Sequence, residues 1–276
     1  MLSNSAPSEY RINLDAILET ALLGFRRAAV FMGLGLNAAL DPEYKAYQLP
    51  KVSHYQLMPD NLDDNKVAEF KGNFAAWVVG NGLREVIESF AVFLDQLHVA
   101  SLRIAMSKEA LSTAGAAKKH AKFGNMGLKG KLKALRDDFG ITTKHLDHLC
   151  SIQKMRTCLT HRRGIVGRED CNQDSELAVK WMGIDFMAVS DKDGHSTLLD
   201  LPLREPVLVE AGDKIVAKVS EHALAFPLGS VVKLEPKHIA EMCVFVTDEA
   251  KALVRSTLEY AKSKGIEIED ANQSKG

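Results

Sequence analysis

A long run of apolar residues at helical spacing constrains this chain more than any other feature of its sequence. The positions of this stripe are Leu83, Val86, Ile87, Phe90, Phe93, Leu94, Leu97 and Leu102. They recur every three or four residues, which is the pattern of a helix with one broad buried side. Since such a side must be covered by other elements, we expect a bundle of helices around it.

Further segments with helical periodicity begin near Ile12, at Thr143 and after Pro236, and one more runs from Leu128 to Phe139, where Gly140 stops it. From Gly183 to Leu234 the pattern changes, because short apolar runs alternate with turn sequences such as DKDG and EAGD. The apolar runs, each a predicted strand, are DFMAV, STLLDL, PVLV, KIVAKV and SVVKL. This alternation is typical of short antiparallel strands. The sequence therefore predicts a mainly α protein, a helical bundle with a small antiparallel β insertion before the C-terminal helix.

The predicted organisation follows from these patterns. We expect a flexible N-terminus (1–11), a helical bundle (12–182), a β-rich insertion (183–234), a C-terminal helix packing on the bundle (235–265) and a flexible tail (266–276). Within the bundle, Ala110 to Gly130 is rich in Ala, Gly and Lys and has little periodicity, so we expect an exposed connection there.

The composition narrows the class of protein. With 46% hydrophobic and 26% charged residues, the chain is expected to fold rather than remain disordered. The four cysteines have no CxxC spacing, which favours a reducing cytoplasm. The longest apolar stretch, Ala28 to Leu40, is too short to span a bilayer, so no membrane partner is expected.

The charge is divided unevenly along the chain. The formal net charge is −1, yet residues 118–168 hold 13 Lys and Arg against three Asp, so this segment carries +10 and the remainder −11. A basic segment of this density suits an anionic partner such as RNA, and a solvated helix surface explains it equally well.

One cluster in the basic segment has the chemistry for phosphodiester cleavage. Arg156, Thr157 and His161 lie within one and a half turns of the predicted helix that begins near Thr143, and Thr157 and His161 share a face at i and i+4. A histidine can move protons near neutral pH, and a guanidinium can bind a phosphate. These three are the candidate catalytic residues.

Four other cations are candidate RNA or phosphate ligands: Arg162, Arg163, Lys154 and Lys131. A purely structural explanation is also open, since cations favour the negative end of a helix and Gly164 suits the residue after it. Cys158, His161 and Cys171 lack a fourth zinc ligand at a recognisable spacing. We therefore expect neither a metal nor a cofactor.

The Arg156, Thr157 and His161 spacing resembles the HEPN family (higher eukaryotes and prokaryotes nucleotide-binding), whose nucleases carry Arg, a polar residue and His at the end of a bundle helix. The sequence leading to it is similar as well, with Leu128, Lys131 and Leu135 before Phe139-Gly140-Ile141. The resemblance covers about residues 66–168. Many members have Asn or Asp in place of Thr157, and the Tyr that follows the histidine in the subgroup paired with nucleotidyltransferase antitoxins is absent here.

The resemblance implies a metal-independent endoribonuclease that cleaves RNA by attack of its own 2′-hydroxyl, as a toxin or defence effector. Family nucleases bring two motifs together across a twofold interface, which implies a homodimer, and a protein antitoxin or regulatory partner is implied as well. The alternative is a non-catalytic helical module that binds RNA, a nucleotide or a protein.

Overall fold

The computed structural model describes residues 11–43, 63–108, 111–191, 194–199 and 212–267. The helices are α1 (Leu14–Leu40), α2 (Asp64–Ser107), α3 (Thr113–Gly124), α4 (Leu128–Phe139), α5 (Leu146–His161) and α6 (Pro236–Ser263). The strands are β1 (Glu176–Val189), β2 (Ser196–Leu199) and β3 (Lys214–Pro227). This mainly α architecture with a small sheet before the last helix confirms the predicted fold class. Most of the predicted flexible ends, residues 1–10 and 268–276, lies outside the described residues.

The chain forms two compact units, and the division falls within helices rather than between the predicted domains. The first unit contains Met1–Gly24, Glu88–Leu146 and Thr247–Gly276, and the second contains Phe25–Ile87 and Asp147–Val246. The sheet and nearly all of α5 therefore belong to one unit. No helix in the described ranges is both long and apolar enough to cross a bilayer.

In the first unit, α4 begins and ends at the predicted residues. Its C-terminal stop depends on Gly140, which has a φ of 70° and whose N–H donates to the Arg136 carbonyl at 2.9 Å. Glycine adopts this left-handed conformation without the steric cost that a Cβ would bring. The apolar stripe of α2 is buried here as predicted, with Phe90, Leu94 and Leu97 fully inaccessible to solvent.

The expectation of an exposed connection over Ala110 to Gly130 was wrong, because α3 occupies residues 113–124. The Ser112 hydroxyl caps this helix by accepting from the backbone N–H of Gly115 at 3.2 Å. Alanine and lysine are strong helix formers even without an amphipathic pattern. Two apolar side chains, Ala116 and Phe123, anchor the helix by burial.

In the second unit, α1 and α2 pack closely at two glycines. A Cβ at Gly82 would lie 2.2 Å from the Met32 Cγ, and a Cβ at Gly35 would lie 2.7 Å from a Val78 methyl. Met32 lies opposite Gly82 and Gly35 lies opposite Val78, so later positions on α1 face earlier positions on α2. The two helices are therefore antiparallel. α2 continues through Gly80 and Gly82 without interruption.

The outer side of this helix pair is apolar and exposed. Its side chains, with exposed fractions of 40 to 65%, are Val30, Phe31 and Leu34 on α1 and Phe74 and Trp77 on α2. The rings of Phe74 and Trp77 stack with centroids 6.5 Å apart. We call these five residues the α1/α2 apolar face. Large apolar side chains that are exposed together usually mark an interaction site.

The sheet is antiparallel with strand order β2-β1-β3. β1 begins at Glu176, so the predicted insertion boundary at residue 183 is seven residues late. The start of β1 lacks the alternation of apolar and polar residues that marks a half-exposed strand, because Leu177, Ala178 and Val179 are all buried. The predicted SVVKL strand is reduced to a bridge between Val231 and Ile165, and the PVLV run lies outside the described residues.

A histidine network ties the sheet to α6 within the second unit. The His222 ring on β3 lies between two carboxylates, with Nε2 3.0 Å from Asp185 Oδ1 and Nδ1 2.9 Å from Glu241 Oε2. Glu241 also accepts from the Trp181 indole N–H at 2.8 Å. Burial lowers the pKa of His222, but the hydrogen bonds to Glu241 and Asp185 outweigh it and raise the pKa above its ordinary value.

We expect the stability of this unit to depend on the charge of His222. Because its pKa is raised by folding, its contribution is fully present below the unfolded pKa of about 6.5 and is lost as the pH rises through the folded value. His222→Gln should therefore lower the free energy of unfolding more at pH 6 than at pH 9, by denaturant titration. His195→Gln, an exposed histidine beside β2, is the control. An equal loss at both pH values would contradict this role.

Candidate functional site

The candidate catalytic residues lie on the last two turns of α5. Ile152, Met155 and Cys158 are buried and fix one side of the helix in the core. Arg156 lies half-buried, and His161, the final residue of the helix, is exposed. The imidazole is therefore accessible to a polymeric substrate.

The three candidates do not share one face of the helix. At about 100° per residue, Thr157 and His161 lie about 40° apart around the axis, whereas Arg156 and His161 lie about 140° apart. The Thr157 hydroxyl donates to the Gln153 carbonyl at 3.0 Å, so its oxygen can still accept a hydrogen bond. Arg156 can approach the space in front of His161 only through the length of its side chain.

Arg162 is committed to an ion pair with a buried carboxylate. Its Nε donates to Asp170 Oδ2 at 2.6 Å, a second guanidinium nitrogen contacts Oδ1, and the third lies 3.1 Å from Glu169. Asp170 is only 1% exposed, and it also accepts from the Gly167 N–H at 2.9 Å. Burial would raise the pKa of Asp170, but these hydrogen bonds hold it below its ordinary value. The pair fixes the turn that follows α5.

Two other predicted phosphate ligands also have partners within the protein. The Lys154 ammonium donates to the backbone carbonyls of Cys171 at 2.9 Å and Glu169 at 3.3 Å, which holds the same turn. Lys131, in the first unit, is 6% exposed and donates to both Asp95 oxygens at 2.7 Å. To bind RNA, either lysine would have to break these contacts.

Arg163 differs from Arg162 in its exposure to solvent and in its backbone conformation. It is exposed, and its φ of 54° places it in the left-handed region, which is uncommon for a residue with a Cβ. Gly164 follows with a φ of 78°, and its N–H donates to the Cys158 carbonyl at 3.1 Å. The turn is tied down further where the Val232 N–H donates to the Gly164 carbonyl at 2.8 Å.

Cys158, which lies between Arg156 and His161, has an unreactive thiol. Burial, together with the Asp170 carboxylate, raises the pKa of Cys158 to about 12, so its thiol stays protonated at neutral pH. It is therefore a poor nucleophile and a poor metal ligand. Within the described ranges, no three His, Cys, Asp or Glu side chains could share one metal ion.

Sequence reasoning missed Asp170, which organises this end of the structure. An acidic residue in a polar loop (GREDCNQD) is indistinguishable by pattern from a solvated one. Its burial depends on Arg162, eight residues earlier, and no helical or strand periodicity relates the two. The only available signal was the adjacent pair Glu169 and Asp170 after a run of basic residues.

Comparisons with known proteins add no relative. No protein-family model, curated protein or solved structure matches this chain. The case for any function therefore depends on the chemistry of the residues described above.

We expect the adjacent arginines to separate stability from ligand binding. Arg162→Ala leaves the buried Asp170 without its main partner, and it should lower the free energy of unfolding by about 2 to 3 kcal/mol, discounted for the partial exposure of Arg162. Arg163→Gly should leave stability unchanged or raise it by up to about 1 kcal/mol, because glycine tolerates the positive φ. Denaturant unfolding measures both. A larger loss in Arg163→Gly than in Arg162→Ala would contradict the assignment.

Proposed function

We propose that this protein is a metal-independent endoribonuclease of the HEPN type, a toxin or defence effector, whose reaction centre is the end of α5. The observation that carries the proposal is an exposed imidazole, His161, on a helix end with a hydroxyl one turn before it and an exposed guanidinium two residues after it. These are the groups that phosphodiester cleavage within RNA requires.

Each group has a role in the proposed reaction. His161 accepts the proton of the ribose 2′-hydroxyl, whose oxygen attacks the adjacent phosphorus. The bond from phosphorus to the 5′-oxygen of the next nucleotide breaks, and that oxygen takes a proton from solvent, which leaves a 2′,3′-cyclic phosphate and a 5′-hydroxyl. Protonated His161 then returns its proton to solvent. Arg156 stabilises the charge on the phosphoryl oxygens, and Thr157 helps to position the phosphate. We assign RNA binding to Arg163 rather than to Arg162, which holds the turn.

A homodimer would supply more catalytic groups to one phosphate than a single copy does. Arg156 and His161 diverge by about 140° around α5, so one copy directs few groups to one phosphate. The α1/α2 apolar face lies close to α5, because a Cβ added at Gly80, one turn after Trp77, would lie 3.3 Å from the Leu159 Cβ. A twofold axis at this face would place two α5 ends near one another. We therefore propose a second copy as its occupant.

A non-catalytic module remains the second candidate, and one observation favours it. Arg162, Lys154 and Lys131 form intramolecular contacts, so the basic segment offers fewer cations to RNA than its composition indicates. Such a module would bind RNA, a nucleotide or a protein such as an antitoxin without cleaving RNA.

The decisive experiment is cleavage of a labelled RNA by the full chain in EDTA. We expect wild type to produce 2′,3′-cyclic phosphate ends and His161→Ala to cleave at least roughly 100-fold more slowly, since proton transfer by a positioned side chain contributes about that much. His195→Ala is the matched control and should cleave like wild type. Equal rates for wild type and His161→Ala would reject the reaction centre. RNA binding without cleavage by wild type would favour the module.

The dimer has its own test. Trp77→Glu places a charge in the α1/α2 apolar face at its most exposed residue, so we expect a twofold fall in mass by light scattering at micromolar concentration. Val244→Glu, at a 50% exposed position on α6, should leave the mass unchanged. A monomeric wild type that retains full nuclease activity would contradict the proposed assembly.

A further inference from the structure

The helices α3 and α4 form a basic hairpin in the first compact unit. We call residues 113–139 the α3/α4 hairpin. This segment holds seven Lys and Arg against two Asp, a net charge of +5 in a chain whose formal net charge is −1. Buried apolar side chains fix one side of each helix in the core, among them Phe123 on α3 and Leu132 and Leu135 on α4. The charged side chains therefore project from folded helices at a fixed spacing.

Three of the seven cations are neutralised by ion pairs, and these pairs use both carboxylates of the hairpin. The pairs join Lys119 to Asp138 at 2.6 Å, Arg136 to Asp137 at 2.8 Å and Lys131 to Asp95 of α2 at 2.7 Å. The hairpin therefore has no further acidic side chain that could neutralise its other cations.

Four exposed lysines remain, and within the described ranges their side chains form no hydrogen bond or ion pair. These hairpin lysines are Lys118 and Lys122 on α3 and Lys129 and Lys133 on α4. The members of each pair are four residues apart, so they share a face of their helix with Cβ atoms about 6 Å apart. The surfaces of soluble proteins usually intersperse both signs of charge. Four cations without partners on one hairpin instead suit a polyanion.

The hairpin offers charge but no side chain that could stack on a base. Its two phenylalanines, Phe123 and Phe139, are buried, and the segment contains no Tyr or Trp. A lysine ammonium is a point charge on a flexible stem, so it contacts a phosphate without the planar geometry that arginine imposes. Contacts of this kind hold a nucleic-acid backbone without recognising its sequence.

We propose that the hairpin lysines bind the phosphate backbone of RNA and hold the substrate independently of its sequence. The proposal rests on the nuclease function proposed above, and it adds a binding surface to the residues at the end of α5. RNA carries a phosphate at every nucleotide, so several phosphates of one strand can contact the two lysine pairs at once. Each contact releases counterions, which makes the affinity strongly dependent on salt.

Fluorescence anisotropy of labelled oligouridylate tests this surface, with the full chain carrying His161→Ala so that the RNA is not consumed. The hairpin variant combines Lys118→Gln, Lys122→Gln, Lys129→Gln and Lys133→Gln. It should bind at least about 10-fold more weakly, and the slope of log Kd against log salt should fall by about 3, since each single-strand phosphate contact contributes about 0.7. Glutamine matches lysine in helix propensity, so the fold is retained. Arginine at the same four positions keeps the charge and should preserve binding.

A charge-matched control separates this surface from a general effect of net charge. It replaces four exposed cations elsewhere: Lys214→Gln, Lys233→Gln, Arg255→Gln and Lys262→Gln. We expect this control to bind RNA like the parent chain. Equal weakening by the two variants would overturn the proposal. So would polyglutamate that displaces the RNA as effectively as unlabelled oligouridylate does, because the surface would then suit an acidic polypeptide.

Cleavage assays distinguish this surface from the proposed reaction centre. With His161 intact, the hairpin variant should cleave at the wild-type rate at saturating RNA and show a raised KM, because the lysines contribute to binding and not to proton transfer. RNA binding through the hairpin without cleavage by wild type would support the surface and reject the nuclease. Cleavage by wild type with unchanged RNA affinity in the hairpin variant would reject the surface and leave the nuclease in place.

Discussion

The burial of one carboxylate, Asp170, constrains the geometry of the candidate site more than any other interaction described here. A buried carboxylate is costly unless it is paired and hydrogen-bonded. Arg162 and the Gly167 N–H satisfy it, and together they fix the course of the chain immediately after α5. Arg162 turns inward to do this, whereas Arg163, in a left-handed conformation, remains at the surface. One desolvated charge thus decides which of two adjacent arginines is available to a ligand.

The fold was predictable from sequence wherever a local signal agreed with the tertiary structure. α4 was predicted to the residue because its amphipathic pattern ends at Gly140, whose conformation is itself a stop signal. α3 was missed because alanine and lysine form helices by backbone propensity, which leaves no periodic trace. The start of β1 was missed for the opposite reason, since consecutive buried residues remove alternation. A periodic pattern arises where a segment has one buried side and one exposed side. A segment without that contrast gives no periodic pattern, so its secondary structure cannot be predicted in this way.

For the candidate site, the sequence placed Arg156, Thr157 and His161 near the end of one helix, but it did not show which cations have partners within the protein. Lys131 and Asp95 are separated by 36 positions, and Lys154 contacts backbone carbonyls that no side-chain pattern reveals. Counting charges along a segment measures its composition. The potential at its surface depends on which charges are cancelled by tertiary partners, and that depends on the fold.

The suppressed acidity of the Cys158 thiol has a consequence for measuring motions of the α5 end. A thiol reacts with alkylating agents through its thiolate. Burial raises the pKa of Cys158, which disfavours the thiolate, and it also prevents the reagent from reaching the sulfur. Alkylation of this side chain therefore requires a transient opening of the helix. Cys150 and Cys171, both partly accessible, provide internal references on the same chain. The rate of Cys158 labelling thus reports how often the end of α5 leaves its native packing, a quantity that neither a melting temperature nor a cleavage rate contains.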